Sequence, residues 1–293
     1  MTYFLQQMLN GISWGSILAM LGAGYTMTFG IIGLVNFAHG EVFMAGAFAA
    51  YFALYAAGLP FGVAVVIGIL GAVVVGLFVE RIAFKPVRGS GMITLFITSF
   101  AASIGLRTLF VMLFTDKAKP FVLPDFLDGA YILGDLWVFK RTIAIVVVLV
   151  VVGGLLMYLV KKTKTGIAMR AMSYDMQTAQ SMGMNTEKII ILTFMIASAL
   201  AGVAAIMWGV SYGRIRSSMG MMPVVDAFIA SVIGGVGNVF GAIVGGLILG
   251  IGETLFVAYL PPELIGLRTL FVWIVLFIIL IIKPSGLFRA NIK

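Results

Sequence analysis

Seven ionisable side chains lie in or against long hydrophobic runs: His39, Glu41, Arg107, Arg214, Arg216, Asp226 and Glu253. Groups of this kind are costly in hydrocarbon and mark solute pathways, proton relays or paired charges. His39 and Glu41 flank Gly40 in the interruption Asn36-Phe37-Ala38-His39-Gly40-Glu41. If a helix starts there, its free N–H groups face a cavity. Glu41 is then either a pathway carboxylate or a charge that stabilises the helix start. His39, the only histidine of the chain, is either a packing residue or a relay. Arg107 needs a counter-charge, for which Asp226 and Glu253 are the acidic candidates. Arg214 and Arg216 close the run 188–211 and either meet an anionic group or snorkel to headgroups.

The same inventory resembles no enzyme, and an intramembrane enzyme is a weak reading because no catalytic set can be assembled. There is no G-x-x-x-x-G-K-[ST] phosphate loop and no His/Cys ligand cluster, and one histidine with no cysteine leaves no nucleophile–base set. No catalytic residue, metal or cofactor is expected on this chain. Energy must come from an ion gradient or from another polypeptide.

The elements that carry these residues follow from composition. Of 293 residues, 62% are hydrophobic and 10% charged, with a mean hydropathy of +1.15. A soluble domain carries about 25% charged residues, so the chain is expected to be an all-α, polytopic membrane protein forming one transmembrane domain over 1–293. The net charge of +8 sits mostly in short loops and reads as topology, not as affinity for nucleic acid. With no Lys or Arg before Arg81, no removable signal peptide is expected.

Apolar runs fall near 9–35, 41–58, 61–83, 92–114, 141–160, 188–211, 223–257 and 265–282, about eight membrane segments. Basic clusters at Arg81/Lys85/Arg88, Lys161/Lys162/Lys164/Arg170 and Lys283/Arg289/Lys293 should be cytoplasmic. With three runs before the first cluster, the N-terminus is expected outside. A cytoplasmic C-terminus then requires 223–257 to make no net crossing. That run is too long for one span of about 20 residues, and it breaks most readily at Gly234-Gly235-Val236-Gly237-Asn238. Two interrupted, glycine-containing segments, at 36–41 and 234–238, point to two related halves and a path between them. The glycines at 237, 241 and 245 and at 246 and 250 form small-residue stripes for close helix packing. The external loop 115–140, with Pro120 and Pro124, should be irregular or strand-like. It is either a solvated loop or a docking surface.

The longest polar interruption is 161–187. At 100° per residue, Ala168, Ala171, Met172, Met176, Ala179 and Met182 fall within an arc of about 140°, a short amphipathic helix ended by Gly183. Asp175 is an acid inside that arc. A face of Ala and Met, without Trp, Phe or Leu, suits a protein groove better than lipid.

Three stretches resemble LivH-type permeases of branched-chain amino acid ABC importers. They are Gly33-Leu34-Val35-Asn36-Phe37-Ala38-His39-Gly40-Glu41; the polar helix with Gly166, Arg170, Ala171, Asp175, Ala179 and Gly183; and Val232-Ile233-Gly234-Gly235-Val236-Gly237 with Gly245-Gly246-Leu247-Ile248-Leu249-Gly250. Phe4-Leu5-Gln6-Gln7-Met8 and Lys283-Pro284-Ser285-Gly286-Leu287 are similar too. The resemblance implies a bacterial inner-membrane permease subunit working by alternating access. Its partners would be a LivM-like permease subunit, two cytoplasmic ATPases carrying ATP-Mg, and a periplasmic substrate-binding protein. It implies that the helix at about 166–185 couples to an ATPase, through Gly166, Arg170, Ala171, Asp175, Ala179 and Gly183. It also implies that Asn36, Phe37, His39, Gly40, Glu41, Gly234, Gly235, Gly237 and Asn238 form the path or gate. Tyr174 departs from the family, which often has an acidic residue there. Urea, short amides and other small solutes are carried by related importers. From the residues alone, an ion-coupled secondary transporter using Glu41, Asp226 or Glu253 is the alternative.

Overall fold

The computed structural model describes residues 1–33 and 35–288. Leu34, Arg289 and Lys293, which the sequence places in a motif and in a basic cluster, lie outside them. The architecture is helical. Helices α1 (Thr2–Ile32), α4 (Met92–Phe114), α5 (Lys140–Lys162), α8 (Thr186–Tyr212) and α10 (Val239–Tyr259) are long and apolar enough to cross a membrane. So are α3 (Phe61–Val79), which extends through a turn at Glu80–Phe84, and α11 (Arg268–Ile282) with the turn before it. Two shorter helices, α2 (His39–Tyr55) and α9 (Met221–Gly234), complete the bundle, and α6 (Lys164–Tyr174) and α7 (Met176–Ser181) lie between α5 and α8. Hence the run 223–257 is two helices that turn back on each other.

α1, α2 and α8 form the centre. The most apolar window of α1 is 83% buried, whereas those of α4 and α11 are each 11% buried. Close packing rests on glycine: a Cβ on Gly250 would stand 2.3 Å from the Gly15 Cα, and one on Gly246 2.5 Å from the Ala19 Cα. The expected stripe therefore seats α10 on α1. Its other members, Gly241 and Gly245, face Gly234 and Ala230 of α9, so two faces of one helix serve two neighbours.

The two halves share a local pattern at particular residues. α1 ends at Gly33 and α8 at Gly213, both left-handed, with φ of 67° and 65°. In each half the chain leaves the helix for a short irregular stretch. Seven residues on stand Gly40 and Gly220, at the starts of α2 and α9. These glycines meet backbone to backbone: a Cβ on Gly220 would lie 2.2 Å from the Gly40 carbonyl oxygen. α1 and α8 run in opposite directions. Tyr3 at the start of α1 bonds to Ala258 at the end of α10, whereas Glu187 at the start of α8 pairs with Arg81 and Lys85 at the other end of the bundle.

The counterpart of the break at 36–41 is therefore 213–220, not 234–238 as expected. The stretch 234–238 is instead the α9–α10 turn. There Gly235 and Gly237 adopt φ of 107° and 83°, Asn238 caps α10 through Gly241 N (3.0 Å), and Leu287 and Phe288 bond to Ile233 and Gly234 carbonyls.

The loop 115–140 is strand-like as expected. Lys119–Pro120 (β1) pairs with Arg214–Ile215 (β4), and Ala130–Leu133 (β2) with Leu136–Phe139 (β3).

Candidate functional site: the helix break and the polar helix pair

The break after α1 gathers polar groups in the interior. Asn36, His39 and Glu41 are each at most 2% exposed. Glu41 Oε1 accepts from Ser103 Oγ of α4 at 3.2 Å, and the Arg107 guanidinium is near enough to act on its charge. Glu41 stands in the first turn of α2, where a negative charge favours the helix start, and its carboxylate also faces Ser103 of α4. Glu41 Oε2, Asn36 Oδ1, His39 Nε2 and the Tyr25 hydroxyl are buried without a hydrogen-bond partner among the described residues. The His39 ring fits over Gly24, where a Cβ would lie 3.0 Å from Nε2, and meets Tyr25 edge-on at 6.3 Å. Phe37 is wedged edge-on between Phe96 and Phe100 of α4, at 5.5 and 5.7 Å. The break is thus held between α1 and α4, and backbone bonds from His39, Gly40 and Glu41 to the 36–38 carbonyls tighten its turn.

The expected pairing of Arg107 with Asp226 or Glu253 is not formed. Glu253 instead pairs with Arg268 and accepts from Trp14 Nε1. Asp226 and Tyr212 lie within electrostatic reach of that pair. Arg107 stands beside Glu41 without a carboxylate within 4.0 Å among the described residues. Arg214 and Arg216 are exposed around β4. No group of three metal-ligating side chains occurs among the described residues.

The polar segment differs from expectation in two ways. It is two helices, because Asp175 is extended (φ −158°, ψ 108°) and caps α7. Its carboxylate accepts from Gln177 N (2.9 Å), Thr178 N (3.1 Å) and Thr178 Oγ1 (2.5 Å). The Thr178 hydroxyl, followed by the Thr178 amide, holds this carboxyl below its ordinary pKa. An acid inside an apolar arc thus marks a helix boundary. Second, only part of the Ala/Met arc points inward: Met172 and Ala179, with Met169 beside them, are buried and seat the pair on its own bundle, while Met182 of the same arc joins Arg170, Tyr174, Asp175 and Gln177 on the outer face. Gly166 permits that seat, since a Cβ there would lie 2.3 Å from the Leu159 and Val160 carbonyl oxygens. Thr163 caps α6 through Gly166 N at 3.1 Å, Arg170 donates to the Val160 carbonyl, and Gly183 (φ 84°) ends the segment.

A cavity of about 610 Å3 joins these parts. It is lined by Gly33 at the end of α1, Gly237 and Asn238 of the α9–α10 turn, and Lys161, Arg170 and Ser173 at the helix pair. Gly33, just before the 36–41 interruption, and the 234–238 turn border it together with α6.

Residues 7–282 match the family described as the branched-chain amino acid transport system permease component. The chain belongs to this family. It is 37% identical over 298 residues to the high-affinity branched-chain amino acid transport system permease protein LivH of Escherichia coli (strain K12), covering 97% of this chain and 95% of that one. It is 33% identical over 299 residues, with the same coverage, to the corresponding protein BraD of Pseudomonas aeruginosa. The fold is shared with an ABC transporter solved in an inward-facing conformation, at a TM-score of 0.52 and 17% identity over 95% of this chain and 85% of that one. Family membership disfavours the ion-coupled secondary transporter. Two features escaped the sequence reading. One is the Gly213–Gly220 break, whose signal was a Gly-x6-Gly spacing matching Gly33–Gly40. The other is the Ser99–Ser103–Arg107 stripe at every fourth residue of α4.

Proposed function

We propose that this permease moves branched-chain amino acids inward across a bacterial inner membrane, driven by ATP hydrolysis on separate subunits. The observation that carries the reading is the α6–α7 pair: seated by its apolar face, capped at Asp175, and bordering the cavity that meets both Gly33 and Gly237. In this reading a cytoplasmic ATPase grips the polar outer face from Arg170 to Met182, and its closure on ATP-Mg shifts α6 against the ends of α1 and α10. A second permease subunit covers α4 and α11, the least buried spanning helices, and a periplasmic binding protein delivers the solute. The N-terminus lies outside and the described C-terminal end inside, as the basic clusters require. The path runs past the break at 36–41 and the Gly40–Gly220 junction.

The test is reconstitution of the complete complex in proteoliposomes. Uptake of radiolabelled leucine should require both ATP and the loaded binding protein. Uptake that follows a proton or sodium gradient and ignores ATP refutes the reading.

A further inference from the structure

Resting on that reading, we propose that Glu41 and Arg107, on the facing helices α2 and α4, are a receptor for the two charged ends of an α-amino acid in transit. Glu41 would take the ammonium group and Arg107 the carboxylate.

The argument starts from α4. Most of this helix is open, and the residues it buries are Ser99 and Ser103. Leu95, Ala102, Leu106, Phe110 and Phe114 pack partly buried on the same side, yet the two residues this helix buries most fully are polar. Here Ser99, Ser103 and Arg107 recur at every fourth residue, so the middle of α4 carries a polar row. Arg107 sits in that row, exposed within this chain. It is seven residues from the end of the helix, about 10 Å of rise, where contact with lipid is costly. It therefore faces protein or a water-filled path.

Across from it, Glu41 has one oxygen bonded to Ser103 and the other buried without a partner among the described residues. Two opposite charges in such a setting normally close into a pair. These do not, since no Arg107–carboxylate contact within 4.0 Å exists among the described residues. Ser103 holds Glu41 one turn short of Arg107, a separation along α4 of about 6 Å. Glu41 thus keeps a free acceptor oxygen and Arg107 a free fork of donors, a suitable pairing for a carboxylate. A zwitterion bridges them, its ammonium group giving Glu41 Oε2 the donor it lacks and its carboxylate meeting the Arg107 fork. Phe37 and Phe100, on the cytoplasmic side of Ser103 along α4, supply an apolar surface for the solute side chain.

The test uses the reconstituted complex with saturating loaded binding protein, comparing wild type, E41Q, R107Q, R107K and E41Q/R107Q. The assays are leucine uptake, ATP hydrolysis stimulated by the binding protein, and copurification of the subunits. Each neutral single variant is expected to lose at least about tenfold in uptake, the scale of one lost charge-assisted hydrogen bond, while stimulated hydrolysis stays within about twofold. R107K should retain intermediate uptake, and the double variant should do no better than the worse single one. A purely structural ion pair predicts the reverse for the double variant, recovery towards wild type, and that result overturns the proposal. So does uptake within about twofold of wild type in either neutral single variant, or an R107Q defect that tracks the anionic lipid content of the vesicles. A wild-type complex that takes up no leucine overturns the functional reading itself, and the receptor with it.

Discussion

Replacing Gly220 by Ala tests whether the two halves of this permease meet where the structure places them. Gly220 has φ −76° and ψ −34°, a helical conformation that alanine adopts without strain, so any effect is steric. Its Cβ would lie 2.2 Å from the Gly40 carbonyl oxygen, and a Cβ on Gly40 2.4 Å from the Gly220 carbonyl. Non-bonded heavy atoms rest at about 3.5 Å, so α2 and α9 must part by roughly 1 Å at their starts. Overpacking of a close-packed junction costs about 1–3 kcal/mol. G220A and G40A should each destabilise the detergent-purified complex by that amount, read by thermal melting followed by size-exclusion chromatography, and each should lower uptake. The double variant should cost less than the sum, because the first methyl opens the gap that the second would enter. Gly62, with nothing within 4 Å of an added Cβ, is the control, and G62A should change stability by less than about 0.5 kcal/mol. Wild-type stability and uptake in G220A, or full additivity of the two glycine changes, would refute the junction.

Two further expectations concern the ends of the bundle. Asp175→Ala should expose the Gln177 and Thr178 amides to faster hydrogen exchange and loosen ATPase copurification. Because the Asp175 carboxyl is held below its ordinary range, the cap persists above the ordinary carboxylate pKa and is lost as pH falls through the lowered value. Exchange protection that changes between pH 6 and 8 would contradict this. Arg268→Met strands Glu253, whose side chain is 3% exposed against 44% for Arg268. Breaking a fully buried pair costs about 3–5 kcal/mol and the exposure of Arg268 reduces this to about 1–3 kcal/mol. E253Q/R268M should recover much of the loss in the same melting assay, whereas equal loss in single and double variants would show that the pair is not the cause.

Much of this molecule is decided locally. Composition and run length determine that the chain spans a membrane. The split of 223–257 is legible because 35 residues exceed one crossing and glycines mark the turn. The Gly246–Gly250 stripe announces close packing because residues four apart share a helix face. The polar segment with Asp175 is likewise visible, since an acid at an apolar position is itself a signal. Tertiary structure decided the rest. Whether the Ala/Met face of α6–α7 meets a partner or its own bundle depends on where α8 and α5 stand. Glu253 chooses Arg268 over Arg107 because α11, not α4, packs beside α10. The true mate of the 36–41 break, 213–220, is polar and reads as an ordinary loop. Only the antiparallel placement of α1 and α8 brings Gly220 against Gly40. These outcomes turn on which helices pack against which and on the way each helix faces, and periodicity along one helix carries no information about either.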